Sequence, residues 1–228
     1  MFLLVQNDLQ CPPGLCSHLL TSLRHPFRVV AGYRDEPLPD PAALAGVIVL
    51  GGEMSVYETE RFPHLERVGA FMARALQDGT PLLGICLGGQ LLSRLAGGTV
   101  SSPSPHGEQG VCQVALNRDG ACDPLFRGLS SPFVTFQLHN DSFTVPPGAT
   151  LLASSPACPA QAFRLGKNAY GVQFHPEVNR AIVSAWGAMS TPSADFLAPF
   201  LAAEGPFHAA SEVILANFIS LAAASRRP

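Results

Sequence analysis

Residues 81–92 read Pro81-Leu82-Leu83-Gly84-Ile85-Cys86-Leu87-Gly88-Gly89-Gln90-Leu91-Leu92, an apolar strand that runs directly into a helix. The junction Gly84-Ile85-Cys86-Leu87-Gly88 is a nucleophile-elbow pattern with cysteine in the place of serine. Small residues two before and two after the cysteine let a tight, strained turn approach neighbouring backbone. Such a turn lifts the thiol to the carboxyl end of a sheet, where open α/β folds bind ligands. The N-terminus of the following helix favours the thiolate. Its first free amide, that of Leu87, points where an oxyanion would develop. The plain alternative is a structural cysteine buried at a strand end, a common place for one.

Outward from the elbow, the chain alternates strand and helix. Phe2–Gln6 is a short apolar strand, Pro13–Leu23 has helical spacing, and Phe27–Ala31 is strand-like. Val47-Ile48-Val49-Leu50 is a β-branched run ending at Gly51-Gly52, as expected for a strand buried on both faces. Leu65, Val68, Phe71, Met72, Ala75 and Leu76 share one helical face, and Gly79 ends that helix. This rhythm indicates a parallel sheet with helices on its faces.

After Gly97-Gly98 strand candidates follow one another: Val111–Leu116, Phe133–Leu138, Thr150–Ala153, Gln161–Leu165 and Ala169–Phe174. In the second of these, Val134, Phe136 and Leu138 alternate with polar positions, which predicts a half-exposed strand. Thr191-Pro192 reads as an N-cap and first helical residue, and Gly205-Pro206 as that helix's stop. Ile214, Phe218 and Leu221 give a last helix its face. The expectation is one α/β domain over residues 1–228. It has a mostly parallel central sheet flanked by helices, an antiparallel extension, and extra C-terminal helices over residues 179–228.

Composition excludes several classes. The chain has 228 residues, a net charge of −3 and only 14% charged residues, against roughly 25% in average globular proteins. The 14 Lys and Arg are scattered, so no basic stripe supports nucleic-acid binding. The longest apolar run near the end, Val213–Ala224, is broken by Asn217 and Ser220 and falls short of the about 20 residues a spanning helix needs. No signal peptide is read at the N-terminus. Six cysteines without a CxxC suggest reduced thiols in a cytoplasmic protein. The histidines form no ligand spacing, so no metal is expected. No GxxxxGK[ST] phosphate loop is present, and no cofactor is expected.

A thiol nucleophile needs a base, and the base an orienting group. Residues 171–177 read Gly171-Val172-Gln173-Phe174-His175-Pro176-Glu177, a strand running out at His175. His175 can supply the imidazole and Glu177 the carboxylate that fixes its tautomer. Taken singly, His175 could be a core histidine and Glu177 a first-turn acid.

Gly84 to Gln90 together with Phe174-His175-Pro176-Glu177 resembles the class I (triad) glutamine amidotransferase family. Leu50-Gly51-Gly52-Glu53-Met54-Ser55-Val56-Tyr57, ahead of both and in the right order, is similar to that family's oxyanion strand. The flavour is that of the stand-alone subgroup related to the amidotransferase domain of GMP synthase. The resemblance covers roughly residues 1–178 and implies the flavodoxin-like amidotransferase fold. It implies that Cys86 attacks a glutamine side-chain amide to form a thioester and release ammonia, with His175 as acid and base and Glu177 orienting it. The amides of Gly52 and Leu87 would hold the oxyanion. Gln90 and Gly51 would border the γ-glutamyl group, as would His139 and Asp141 of His139-Asn140-Asp141. Glu108 falls near a family acidic position. Where relatives usually have proline, this chain has Glu53, which frees the backbone and places a carboxylate near the oxyanion site.

Three functional readings stay open. The chain could be a glutaminase component working with a separate synthetase, a self-contained hydrolase of γ-glutamyl amides or peptides, or a non-catalytic binding member of the fold. The cysteine-elbow group around the PfpI protease also places cysteine after a strand, but it lacks the His-Pro-Glu segment. The substrate expected is glutamine or another γ-glutamyl compound.

Overall fold

Strands in which every residue is apolar need cover on both faces, and the first half of this chain supplies two of them, Gly46–Val49 and Leu82–Ile85. The computed structural model describes residues 1–190 and 194–225. Numbered in chain order, its strands are β1 (Phe2–Gln6), β2 (Phe27–Ala31), β3 (Gly46–Val49), β4 (Leu82–Ile85), β5 (Val100–Ser101), β6 (Glu108–Leu116), β7 (Phe133–His139), β8 (Ser142–Phe143), β9 (Thr150–Ser154), β10 (Ala162–Leu165) and β11 (Ala169–Val172). The helices are α1 (Gly14–Ser22), α2 (His64–Gln77), α3 (Leu87–Leu95), α4 (Arg118–Cys122), α5 (Arg180–Met189) and α6 (Leu197–Ala224).

Nine strands form one sheet in the order β2-β1-β3-β4-β11-β10-β9-β6-β7. The five from β2 to β11 pair in parallel, and the remainder pair antiparallel. β5 and β8 make a separate two-stranded ribbon. The expected fold class is what the chain adopts.

The strand period of two divides the core. Phe2, Leu4, Ile48, Leu83 and Ile85 face one layer, with Leu20 of α1, Val183 of α5 and Phe218 of α6. Leu3, Val5, Val47, Val49 and Leu82 face the other, with Val68 and Met72 of α2 and Leu92 of α3. The result is helix, sheet, helix, with β3, β4 and β11 in the middle.

Two expectations are corrected. Gly205-Pro206 does not stop a helix, because α6 runs through it for 28 residues with Pro206 inside. An interior proline costs about 3 kcal/mol or more. Burial of Phe200, Phe207, Ile214, Leu215, Phe218 and Ile219 against the sheet outweighs that cost. Strand β7 is not half-exposed: Phe133, Thr135, Phe136, Gln137 and His139 are buried, while Val134 and Leu138 are only half-buried. The reason is that α6 covers one of its faces, where Phe136 meets Phe200 at 6.1 Å between ring centroids. Thr191-Pro192 lies outside the described residues. By length and composition alone α6 could cross a membrane, but its apolar residues named above pack into the core.

Candidate active site

Cys86 sits at the junction of β4 and α3 with φ 50° and ψ −108°, a conformation that non-glycine residues rarely adopt. Its N–H donates to the Val172 carbonyl at 2.8 Å, and its own carbonyl accepts from Gln90 N–H at 2.9 Å. Those two bonds pin the strained residue between β11 and the first turn of α3. The flanking glycines are required by contact: a Cβ on Gly84 would lie 2.4 Å from Gly88 backbone, and one on Gly88 would lie 2.2 Å from the Val49 carbonyl oxygen. Leu87 opens α3, so its N–H has no intrahelical acceptor.

His175 follows the end of β11 and is held by its N–H, which donates to the Phe136 carbonyl of β7 at 2.8 Å. Its Nδ1 lies 2.7 Å from Glu177 Oε1, and both side chains are buried. Nε2 is buried, and its polar neighbour is the Cys86 sulfur. Burial acts to lower the His175 pKa, but the Glu177 carboxylate and then the Cys86 sulfur outweigh it and push it up to about 10. The imidazole is therefore held as a cation between a carboxylate and a sulfur. Gly51 makes room for this meeting, since a Cβ there would sit 3.2 Å from His175 Cε1 and 3.6 Å from Cys86 Cβ.

Gly52 packs against the start of α3, where a Cβ would meet Leu87 Cδ2 at 2.8 Å. The next amide, Glu53 N–H, is taken by Asp8 Oδ2 at 3.1 Å. Asp8 thus holds the segment that the resemblance would have fixed with proline. The Glu53 residue is exposed and belongs to the lining of the cavity beside Cys86.

Gln90 Nε2 donates to the Asp141 carbonyl at 3.3 Å and to Gln173 Oε1 at 3.4 Å. His139 Nδ1 lies 2.9 Å from the same Asp141 carbonyl. Burial lowers the His139 pKa to about 4; the Asp141 carbonyl opposes this and the His175 charge adds to it. Glu108 opens β6. It pairs across strands with His139, and its carboxylate accepts from Ser155 Oγ at 2.8 Å and from Gln161 Nε2. Burial raises its pKa, while Ser155 and Gln161 hold it back.

These groups surround a cavity of about 390 Å³ lined by Cys86, His175, Gln90, Gly52, His139 and Asp141, among others. Sequence reading missed four neighbours. Gln173 Nε2 donates towards Cys86 Sγ at 3.5 Å. Trp186, from α5, packs edge-on against His175 and donates its indole N–H to the Gln10 carbonyl at 2.7 Å. Cys11 lines the cavity, its thiol pKa pushed up by burial and then by Asp8, Glu177 and Cys86. Asp8 completes the set. The alternation of Gln161 and Gln173 with apolar residues was the one signal available for Gln173; the others come from remote loops and helices. All six cysteines are free thiols. Among the described residues no His, Cys, Asp and Glu cluster is fit to hold a metal ion.

The chain is similar to several known proteins. The family model for glutamine amidotransferase class-I matches residues 17–181. The GMP synthase [glutamine-hydrolyzing] of Caldanaerobacter subterraneus subsp. tengcongensis is 36% identical over 136 residues, which is 59% of this chain and 24% of that protein. The GMP synthase of Aeropyrum pernix is 38% identical over 148 residues, 62% of this chain and 27% of its own length. The chain thus spans about a quarter of the length of the curated relatives it matches. Among solved structures, a glutamine amidotransferase from Methylobacillus flagellatus superposes with a TM-score of 0.87 at 26% identity, covering 96% of this chain and 94% of that one. One from Thermotoga maritima gives 0.87 at 26% identity, covering 97% of each. With a family match over more than half its length, the chain belongs to the class-I glutamine amidotransferase family.

Proposed function

We propose that this chain hydrolyses the side-chain amide of glutamine, or of a related γ-glutamyl compound, through a thioester on Cys86, and that the ammonia passes to a separate synthetase partner. The observation that carries this is the buried His175–Glu177 pair at 2.7 Å, set beside the strained Cys86 on the wall of a cavity. In the first half-reaction the Cys86 thiolate adds to the amide carbon. The oxyanion faces the amides of Leu87 and Gly52. The C–N bond then breaks as His175 gives its proton to the leaving nitrogen. In the second, His175 takes a proton from water, the water oxygen adds to the thioester, and the C–S bond breaks to release the γ-carboxylate. Glu177 keeps the proton of Nδ1 in place, so that Nε2 is the nitrogen that works. Gln90, Gly51, His139 and Asp141 form the walls around the γ-glutamyl chain.

The synthetase partner is supported by the relatives, whose printed activity is GMP synthesis with glutamine hydrolysis and of which this chain matches a quarter. A self-contained hydrolase uses the same thioester with water as the sole acceptor. The test is ammonia and glutamate release from glutamine by the purified chain. Release that is lost in Cys86→Ala supports the assignment, and covalent capture of a glutamine-analogue electrophile at another residue overturns it. Turnover that rises only when a synthetase is added identifies the component reading, and faster turnover of γ-glutamyl dipeptides than of glutamine identifies the hydrolase.

A further inference from the structure

Gln173 is polar and fully buried, between Val172 and Phe174, which are buried too. A buried side-chain amide costs stability unless its polar atoms find partners. Here both ends are used. Nε2 donates to Cys86 Sγ at 3.5 Å, and Oε1 accepts from Gln90 Nε2 at 3.4 Å. The fold needs neither bond. β11 and β4 already pair in parallel, Val172 against Ile85, and the Cys86 N–H already donates to the Val172 carbonyl at 2.8 Å. An apolar side chain of the same length would fill the space with no amide to satisfy.

The direction of this amide is set from outside the pair. The Asp141 carbonyl can only accept, so the Gln90 atom 3.3 Å from it is the nitrogen. That nitrogen also faces Gln173, which answers with its oxygen and so turns its N–H towards the sulfur. The row runs from Asp141 through Gln90 and Gln173 to Cys86, and it ends on the reacting atom. The other polar group at that sulfur is the His175 imidazole. A thiolate held out of water needs donors, and these two side chains supply them.

We infer that Gln173 is a further catalytic residue, whose amide N–H holds the Cys86 sulfur in its thiolate form and receives the charge when the thioester breaks. The inference rests on the reading of Cys86 as the thioester-forming residue. In the first half-reaction the N–H keeps the sulfur charged and directed until its electron pair forms the bond to the amide carbon. In the second, the water oxygen has added and its proton is on His175. The C–S bond then breaks, and its electron pair returns to a sulfur that faces the imidazolium and the Gln173 N–H. No proton leaves Gln173 in either half. Through Gln90 the same amide ties the sulfur to the wall of the γ-glutamyl site.

The test is alkylation of Cys86 by iodoacetamide, a small neutral probe, followed by peptide mass across pH in the full chain. Gln173→Met keeps the side-chain length and removes the donor, while Gln90 keeps its bond to Asp141. The pH midpoint of Cys86 alkylation should rise, and alkylation below it should slow about tenfold, the worth of one hydrogen bond to a charged group. For glutamine, kcat should fall by a similar factor with KM little changed. Gln173→Glu keeps an acceptor for Gln90 and sets a carboxylate against the sulfur, so its midpoint should move further the same way. The titratable groups around the sulfur are the same in every chain: His175 with Glu177 behind it, and Cys11 on the cavity wall. A midpoint that stays put in a cooperatively unfolding Gln173→Met chain overturns the inference, whatever happens to kcat. Should neither variant fold, the wild-type chain decides. The NMR signal of the Gln173 side-chain amide proton should follow the alkylation midpoint, and a signal indifferent to that titration overturns the inference. Failure of the Cys86 reading shows separately, as an electrophilic glutamine analogue that leaves Cys86 unmodified in the wild-type chain.

Discussion

The Trp186 indole stands edge-on to the His175 imidazole, with ring centroids 4.9 Å apart and planes at 73°. Trp186 belongs to α5, within the residues 179–228 read from sequence as extra C-terminal helices. Its N–H ties it to the Gln10 carbonyl, and Gln10 also lines the cavity. One side chain therefore joins α5, the loop after β1, and the imidazole. Replacing Trp186 by Phe should keep the ring contact and lose the hydrogen bond, at about 1 kcal/mol of stability. Replacing it by Ala should cost about 3 kcal/mol or more and lower kcat in the fraction that stays folded. Urea unfolding alongside single-turnover rates separates the two effects.

Glu177→Gln removes the largest influence that raises the His175 pKa. A folded value of about 10 against an unfolded value near 6.5 means that the pair stabilises the native state fully below about pH 6.5. That contribution is lost as pH rises through about 10. The variant should move the alkaline fall of kcat/KM to lower pH and reduce the rate on the order of 10³-fold, through loss of the oriented tautomer. A pH–rate profile with an unmoved alkaline limb would contradict the role given to Glu177.

His139 responds in the opposite sense. Its folded pKa of about 4 lies below the unfolded value, so the unfolded chain takes up a proton that the folded chain refuses. Stability should fall as pH drops from about 6.5 towards about 4, by about 3 kcal/mol from this group. His139→Gln should flatten that part of the stability curve, measured by denaturant midpoint against pH. Glu108, whose pKa burial raises, lies 3.6 Å from His139 Nε2, so the difference between the two curves reports the histidine together with its contact to that carboxylate.

Two glycine substitutions should fail in different ways. In Gly88→Ala the new methyl group meets the Val49 carbonyl oxygen at 2.2 Å, and the chain should lose about 3 kcal/mol or more, or not fold. In Gly51→Ala it meets His175 Cε1 at 3.2 Å, a contact that a small ring movement relieves. The fold should survive with a Tm within a few degrees of wild type, while kcat drops by about tenfold or more as the imidazole leaves its line with Cys86. Thermal unfolding and steady-state kinetics on the pair of variants check this contrast.

What could be read from the sequence is what local backbone demands. Gly84, Gly88 and Cys86 announce the elbow because only small residues fit around that turn, and β3 and β4 announce a doubly covered sheet because every residue in them is apolar and buried. The pairing of His175 with Glu177 is equally local, at a separation of two residues. Trp186, Cys11, Asp8 and Gln173 reach the cavity through tertiary packing, for which no short-range pattern exists. Gly205-Pro206 misleads for the same reason: the local preference to end a helix is real, and the apolar face of α6 against β7 overrides it. Glu108 falls near a family acidic position and is an inward carboxylate, because β6 begins at that residue, opposite His139.

The similarity to the family model ends at residue 181, and the apolar interior does not. Phe136 of β7 touches Trp186, Phe196 and Phe200, all beyond that limit. A fragment cut at the last matched residue would bare the outer face of the antiparallel strands and strip one wall from the cavity around His175. The tail that no motif describes is thus the part a shortened version of this chain could least do without.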